Sequence, residues 1–410
     1  MIKKSYKNKI YNLEKNEISL YLEKLLIKNI ISEERNLSIK NDEDFKIFKR
    51  SDISLDDLAN SIRKHKLTFL FSKSTYIKEY WGELYDLIKP FNKIENIKTF
   101  RCAILTSQLA KLFDDNEIKY LIIKGIPLAL QTTGSFSGRG SSADIDLFVH
   151  PKSISKSVEL LESFGFYLRD GLQLQLNDSI LGKYSRFVTP EIVLCRKNKN
   201  DQDLIDLHWH ISWLNLSSPS FEEVYAKREI FELYGVNIKT LSQEDAFKHS
   251  CFHAAHDSWM CIRSLIDIER LSRDFTTEKI NRLREIKIIK WSTYIAYNST
   301  KSNHLSKFQK KRFSEQERIL KEAINQQLVV SRFITNSNWS PKNSLKNILR
   351  SFKLRSDPLD FIAYFLYLLI SPKDIYDSQS GFTRNPLNII FYRIKRYLNK
   401  LREFNRNKNK

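Results

Sequence analysis

Residues 120–151 read YLIIKGIPLALQTTGSFSGRGSSADIDLFVHP, and two aspartates, Asp144 and Asp146, lie one residue apart in the apolar run DIDLFV. In a strand, residues i and i+2 share one face, so both carboxylates point the same way while the intervening residues form an apolar face. Carboxylates held within about 4–6 Å raise each other's pKa and destabilise the fold unless a cation joins them. We expect that only a divalent metal relieves this repulsion, so that Asp146→Asn leaves the metal-free fold intact or slightly more stable.

The residues before the pair strengthen this interpretation. The run YLII predicts a strand that ends at Lys124 and Gly125, with a short helix after it. A glycine at that point lets the backbone approach a phosphate closely, and the N–H groups of a following helix can point at the anion. The loop SFSGRGSSA (135–143) has the small residues of a segment that lies against a ligand. The alternatives are an ordinary strand-to-helix turn and a solvent-facing strand with two incidental acids.

A third acid lies in the run LIDLHWHI (204–211), where Asp206, His208 and His210 share one strand face. The other face of this run is apolar, which repeats the design of DIDLFV. If the two strands are neighbours, Asp206 joins Asp144 and Asp146, and three carboxylates can hold the two metal ions of a phosphoryl-transfer site. His208 is interpreted as an orienting or packed residue rather than as a base.

Composition restricts the class of protein. The 410 residues carry a formal net charge of +20, which indicates an anionic partner such as a nucleotide, nucleic acid or an acidic membrane surface. The four cysteines are scattered without C-x-x-C spacing, as is typical of a reducing cytosol. The basic N-terminus lacks the apolar core of a signal peptide, and the longest apolar stretch, 359–370, is too short to span a bilayer. We therefore predict a cytoplasmic protein without a transmembrane segment.

Periodicity divides the chain into three regions. Residues 1–98 are predicted to be helical, and Ser54 with Asp57 has the spacing of a capping box at one helix start. Residues 99–240 alternate helical and strand-like runs, which predicts an α/β core. Within this region, Gly165 is predicted to end a helix. Residues 241–410 are again helical and end in a basic tail. The predicted fold class is α+β, a small mixed β-sheet core flanked by N- and C-terminal helical regions.

Lys124-Gly125, an intervening helix, DIDLFV and the later DLHW resemble the uncharacterised bacterial nucleotidyltransferases of the DNA polymerase β superfamily. LANSIRKHKLTFLF (58–71) and HAAHDSWMCIRSLIDIERL (253–271) are similar to the helical segments of that family. The resemblance implies a nucleotidyltransferase core that transfers a nucleoside monophosphate from an NTP, such as ATP, to a hydroxyl acceptor by a two-metal mechanism.

The resemblance also assigns the site residues. Asp144, Asp146 and Asp206 are implied to be metal ligands and catalytic residues, with Asp206 also activating the attacking hydroxyl. Gly125, with Lys124 beside it, takes the phosphate-loop position, and Arg139 is the candidate for a further phosphate contact. Two Mg²⁺ ions are implied, for which Mn²⁺ can substitute. The acceptor stays open among small molecules, sugars, peptides, proteins and RNA.

Two other functions compete with this one: a basic nucleic-acid-binding protein, and a catalytically inactive relative that binds nucleotide. The stripe His249, His253 and His256 is predicted to contact the catalytic domain, a nucleotide or solvent, and a zinc site there is disfavoured because no H-E-x-x-H is present. The tail 391–410 has eight Lys/Arg, one acid and an apolar stripe, which fits either a solvated helix or weak contact with nucleic acid or an acidic membrane.

Overall fold

The structure is a computed structural model of the 410-residue chain. The described residues are 15–35, 54–140, 144–169, 179–197, 202–212, 219–308, 314–331, 341–355, 357–371, 391, 393–399 and 402.

Along the chain, a run of helices comes first, a region of mixed helices and strands follows, and a second run of helices comes last. The helices are α1 Lys15–Glu34, α2 Leu55–Lys64, α3 Thr68–Lys73, α4 Thr75–Tyr80, α5 Gly82–Asp115, α6 Ile126–Thr133, α7 Ile154–Ser163, α8 Ile180–Val188, α9 Phe221–Ala226, α10 Gln243–His256, α11 Ile262–Leu271, α12 Thr277–Leu283, α13 Lys287–Thr300, α14 Ser314–Ser331, α15 Pro341–Leu354 and α16 Pro358–Leu369. The strands are β1 Tyr120–Ile122, β2 Asp144–Val149, β3 Tyr167–Leu168, β4 Glu191–Lys197, β5 Gln202–His208, β6 Glu229–Leu233 and β7 Val236–Thr240. This mixture confirms the predicted α+β class.

The chain divides into two compact units, each assembled from separated stretches. The first unit comprises Met1–Ala103, Ile126–Ser142 and Gln243–Thr335, and the second comprises Ile104–Gly125, Ala143–Ser242 and Asn336–Lys410. The sequence pattern instead suggested three consecutive regions, 1–98, 99–240 and 241–410, and that division stays a prediction.

The first unit is helical and has its own apolar core. Helix α2 begins with the predicted capping box: the Asp57 backbone N–H donates to Ser54 Oγ at 3.1 Å, and the Ser54 N–H donates to Asp57 Oδ2 at 3.3 Å. Because the box satisfies N–H groups that the helix leaves open, it determines where α2 begins. Leu58 and Ile62 then fall on the buried face and pack in a cluster that also includes side chains of α1, α4 and α11.

The second unit is built on a five-stranded sheet in the order β1-β2-β5-β4-β3. Strands β2 and β5 are parallel, and all other pairs in this sheet are antiparallel. The apolar residues that alternate with the aspartates of β2, Ile145 and Leu147, are buried, as are Ile205 and Leu207 of β5. The alternating pattern therefore has the predicted result. One face of the β2–β5 pair packs in the core, and the other face carries the aspartates.

Helix α7 follows the sheet strand β2 and ends where the sequence predicts. Ile154, Val158 and Leu161 are buried on one side of the helix. Gly165 has a φ of +91°, a left-handed conformation that glycine adopts without a Cβ clash, and its N–H donates to the Glu162 carbonyl at 2.9 Å. The predicted stop signal is confirmed.

The apolar stretch 359–370 lies mostly within α16. None of the described helices is long and apolar enough to cross a membrane. In the basic tail, residues 393–399 are helical, and Ile394, Tyr397 and Leu398 expose 50%, 43% and 47% of their surface. Tail residues 392, 400, 401 and 403–410 lie outside the described residues.

A buried carboxyl in the first unit provides a test of this helical packing. Glu23 of α1 is fully buried, and its Oε2 accepts a hydrogen bond from Ser61 Oγ of α2 at 2.6 Å. Burial raises the pKa of the Glu23 carboxyl to about 8, although Ser61 and Lys24 act to lower it. The folded state thus holds this proton more tightly than an unfolded chain, whose Glu has a pKa of about 4.3.

We expect the stability of the wild-type protein to fall as the pH rises from about 4.5 to about 8, because the folded state then loses the proton that burial favours. Glu23→Gln keeps an acceptor for Ser61 and removes this loss, so the variant should gain stability over the wild type by a few kcal/mol at pH 8 and little at pH 4.5. Urea unfolding across this pH range measures the difference, with the exposed Glu79→Gln as control. A stability difference that does not grow with pH would contradict the assignment.

Candidate functional site

The polar face of the sheet gathers acids from neighbouring strands. In the parallel pairing of β2 with β5, Asp146 lies directly opposite Asp206, and Asp144 lies opposite Leu204. Partners in register project to the same side of a sheet, so Asp146 and Asp206 are adjacent on one face and Asp144 follows along β2. The expectation that the two aspartate-bearing strands are neighbours is confirmed.

The central acid, Asp146, is buried and already has two basic side chains beside it. Lys124 Nζ donates to Asp146 Oδ1 at 3.1 Å, and His208 Nε2 lies 3.3 Å from the same oxygen. The side chain of Asp146 is only 5% exposed. The expectation that only a metal compensates its charge is therefore wrong, because these two side chains do so without one.

The position of Lys124 follows from the way the chain leaves β1. The Ile123 N–H donates to the Asp146 carbonyl at 3.0 Å, which extends the β1–β2 pairing by one residue. Gly125 then adopts a φ of +65°, a left-handed turn that disfavours any residue with a Cβ. The strand end and this turn hold the Lys124 side chain beside Asp146. The phosphate-binding roles of Lys124 and Gly125 stay predictions.

His208 is oriented by a residue that the sequence analysis missed. Glu191, the first residue of β4, pairs with His208 in the antiparallel register, and its Oε2 lies 3.0 Å from His208 Nδ1. In the run EIVLCR, Glu191, Val193 and Cys195 occupy alternate positions, which indicates a strand with an acid on one face. No local pattern shows that this strand pairs with β5. His210, grouped with His208 in the sequence, falls just beyond the end of β5.

The electrostatics of the site follow from burial and charge. Burial, followed by the neighbouring Asp146, raises the pKa of Asp206 to about 7. Burial opposes the charge of Lys124, but Asp146, with Asp144 and Glu191, outweighs it and raises the pKa of Lys124. Burial likewise opposes the charge of His208, and the carboxylates of Glu191 and Asp146 outweigh it and raise its pKa. The site therefore concentrates negative charge that favours bound cations.

Three of these side chains are arranged to hold one metal ion. One ligand atom from each of Asp146, Asp206 and His208 lies within 4.8 Å of the other two. Two carboxylate oxygens and one imidazole nitrogen are a donor set that fits a divalent cation. This group contains two of the three predicted carboxylates and adds His208, while Asp144 lies on the same strand face outside it.

Arg139, the candidate phosphate contact, is engaged elsewhere in the first unit. Its Nε donates to both carboxylate oxygens of Asp267 at 2.9 Å, and its Nη2 lies 2.8 Å from Oδ2. Both side chains are nearly buried, with exposures of 9% and 2%. A bidentate, desolvated pair of this kind positions the loop that contains Arg139. Its phosphate role stays a prediction.

The histidine stripe of α10 lies in the first unit and is not grouped as a metal site among the described residues. The rings of His249 and His253 stack at 6.1 Å. His253 and His256 each lie near Asp257, at 3.4 Å and 3.1 Å. Both histidines lie in the last turn of α10 and are half-exposed.

Comparison with known proteins gives one match. The model of a family described as uncharacterised nucleotidyltransferase matches residues 51–296, which include β1, β2, β4, β5 and all the site residues above. No curated protein and no solved structure matches the chain.

The contacts of Asp146 generate a stability prediction. In metal-free buffer, Asp146→Asn leaves the Lys124 ammonium without its buried partner, and loss of one member of such a pair destabilises by about 3 kcal/mol. Lys124→Met should have an effect of similar size, and the double variant should lose less than the sum of the two. Urea unfolding in EDTA measures the cycle. Additive losses, or a more stable Asp146→Asn, would show that the pair does not stabilise the fold.

Proposed function

The chain belongs to this family of nucleotidyltransferases, and we propose that it transfers a nucleoside monophosphate from an NTP to a hydroxyl acceptor. The observation that carries this proposal is the parallel register of β2 and β5, which places Asp146 beside Asp206 on the polar face of the sheet. Two acids lie on adjacent strands, and a lysine lies at the end of a third strand. This arrangement is suited to binding a triphosphate together with its metal ion.

The three acids are proposed to hold the metal. Asp146 and Asp206 supply carboxylate oxygens from neighbouring strands, and Asp144 extends the same face along β2. A bound divalent ion, Mg²⁺ or Mn²⁺, would neutralise the phosphate oxygens and orient them for in-line displacement. In the proposed two-metal arrangement, Asp144 would help to hold a second ion.

The proposed reaction forms one P–O bond and breaks another. The oxygen of the acceptor hydroxyl attacks the α-phosphorus of the NTP, the bond from that phosphorus to the β-phosphate oxygen breaks, and pyrophosphate leaves. The hydroxyl proton passes to the Asp206 carboxylate, the role that the resemblance assigns to the third acid. The acids also exclude an unpaired anion from this face, so that the triphosphate enters with its cation.

Lys124 is proposed to change partners during substrate binding. Its ammonium now neutralises Asp146 at 3.1 Å. If a metal ion bound that carboxylate, the Lys124 ammonium would lose its partner and would be able to donate to a phosphate oxygen of the same substrate. Gly125, in its left-handed turn, keeps the backbone beside Lys124 free of a side chain that would obstruct the phosphates.

The proposal also includes membership of the DNA polymerase β superfamily and a cytoplasmic location for the protein.

The first test measures nucleotide binding through the acids. Each NTP with Mg²⁺ or Mn²⁺ should raise the Tm of the wild-type protein, because a ligand that binds only the folded state stabilises it by mass action. Asp206→Asn should lose that shift, whereas Asp115→Asn, at an exposed position of α5, should keep it. Incubation with labelled NTP and a cell extract, followed by identification of the labelled product, then reveals the acceptor. An unchanged nucleotide shift in Asp206→Asn would refute the site.

The second test separates this function from nucleic-acid binding. Residues 400–410 carry five Lys/Arg and one acid, and their removal leaves the contact of Arg393 Nη1 with the Tyr367 carbonyl in place. The shortened chain should bind NTP as the full chain does, because Lys124 and the metal supply the local positive charge. Its affinity for duplex DNA at low salt should fall, since fewer counterions are released. Loss of NTP binding in the shortened chain would place the tail in the active site, and salt-resistant DNA binding without NTP binding would favour the alternative function.

A further inference from the structure

His208 has the surroundings of a metal-ligating histidine. Its ring is buried, with 7% of the side chain exposed, and lies between carboxylates on two different strands. Nε2 faces Asp146 at 3.3 Å, and Nδ1 faces Glu191 at 3.0 Å. Because β4, β5 and β2 are consecutive in the sheet, the backbone register holds both carboxylates in place, so the ring has a defined orientation.

Glu191 determines which nitrogen is available. Histidines that bind metals commonly donate their other ring N–H to a carboxylate, which holds the tautomer and makes the free nitrogen a better ligand. Here Nδ1 lies 3.0 Å from the Glu191 carboxylate, which is suited to accept its proton, and Nε2 faces Asp146, where a metal ion would replace the Nε2 proton. A histidine that served only packing would not need an acid beside each ring nitrogen.

We propose that His208 is a nitrogen ligand of the metal ion at Asp146 and Asp206, and that this site prefers Mn²⁺ to Mg²⁺. The inference rests on the proposed function in that it concerns the same metal site. It adds a third ligand that neither the sequence pattern nor the family resemblance assigns, and Glu191 becomes the positioning residue that acts through it.

The metal preference follows from the donor set. Mg²⁺ prefers oxygen ligands and an octahedral shell rich in water, whereas imidazole nitrogen favours first-row transition ions. Mn²⁺ accepts carboxylate oxygens as readily as Mg²⁺ does and gains from the nitrogen. The ammonium of Lys124 contacts the same Oδ1 of Asp146 as His208, so an entering ion must displace it, and a stronger bond to Nε2 helps to do so.

The decisive experiment uses the full-length protein without nucleotide. Mn²⁺ binding is followed by the loss of the six-line EPR signal of free Mn²⁺, and Mg²⁺ affinity by competition. Glu191→Gln should weaken Mn²⁺ binding roughly 10- to 100-fold, the usual effect of losing a carboxylate behind a ligating histidine. His208→Gln, which offers an amide oxygen in place of Nε2, should weaken Mn²⁺ binding at least as much and Mg²⁺ binding less. His256→Gln, at a half-exposed histidine of α10, is the matched control and should bind as the wild type does.

A spectroscopic signature separates ligation from a structural effect. Pulsed EPR of the wild-type protein with bound Mn²⁺ should show the ¹⁴N coupling of a coordinated imidazole, and His208→Gln should lack it. This readout on the wild type decides the question even if a variant folds poorly, which circular dichroism would reveal. Absence of ¹⁴N coupling in the wild type would overturn the proposal. So would a His208→Gln variant that binds Mn²⁺ as tightly as the wild type does and Mg²⁺ as tightly as the wild type does.

Nucleotide binding, measured in parallel, separates this inference from the proposed function. Wild-type ¹⁴N coupling without any stabilisation by NTP would support the histidine ligand and refute the nucleotidyltransferase reaction. Strong NTP binding that His208→Gln retains in full, with no ¹⁴N coupling, would support the reaction and refute the histidine ligand.

Discussion

Repulsion among acids crowded on one face of the sheet is the constraint on which the second unit depends. The parallel pairing of β2 with β5 sets Asp146 against Asp206, and the antiparallel pairing of β4 with β5 adds Glu191 to the same polar face. The chain compensates this charge with Lys124, at the end of β1, and with His208. The sheet order β1-β2-β5-β4 thus brings the basic side chains and the acids together on one face.

The same charges make the metal-free site stable and still receptive. A buried carboxylate without a partner is strongly destabilising, so Asp146 needs Lys124 and His208 in the absence of a ligand. Both contacts are polar and reversible, so they compensate Asp146 without closing this face of the sheet by covalent bonds or apolar packing. The arrangement explains how a chain of net charge +20 can keep several acids close together at one point.

Several features of the fold and site follow from local pattern. Alternation in DIDLFV and LIDLHWHI predicts two strands with one polar and one apolar face, and the burial of Ile145 and Leu207 agrees. The Ser54 capping box and the Gly165 stop are likewise local, because each depends on backbone groups within one turn of the chain. The pairing of Lys124 with Asp146 and of Glu191 with His208 was not predicted, since these partners are distant in sequence and meet only through strand register.

The sequence by itself determined which residues form strands and which face of each strand is polar, because a period of two depends only on backbone geometry and side-chain polarity. Tertiary structure alone decided which strands are neighbours and in what register. That choice placed Asp146 beside Asp206, made Lys124 the ion partner of Asp146, and brought Glu191 beside His208. The physical reason is that strand pairing is set by hydrogen bonds and core packing between distant segments, and no local pattern records their alignment.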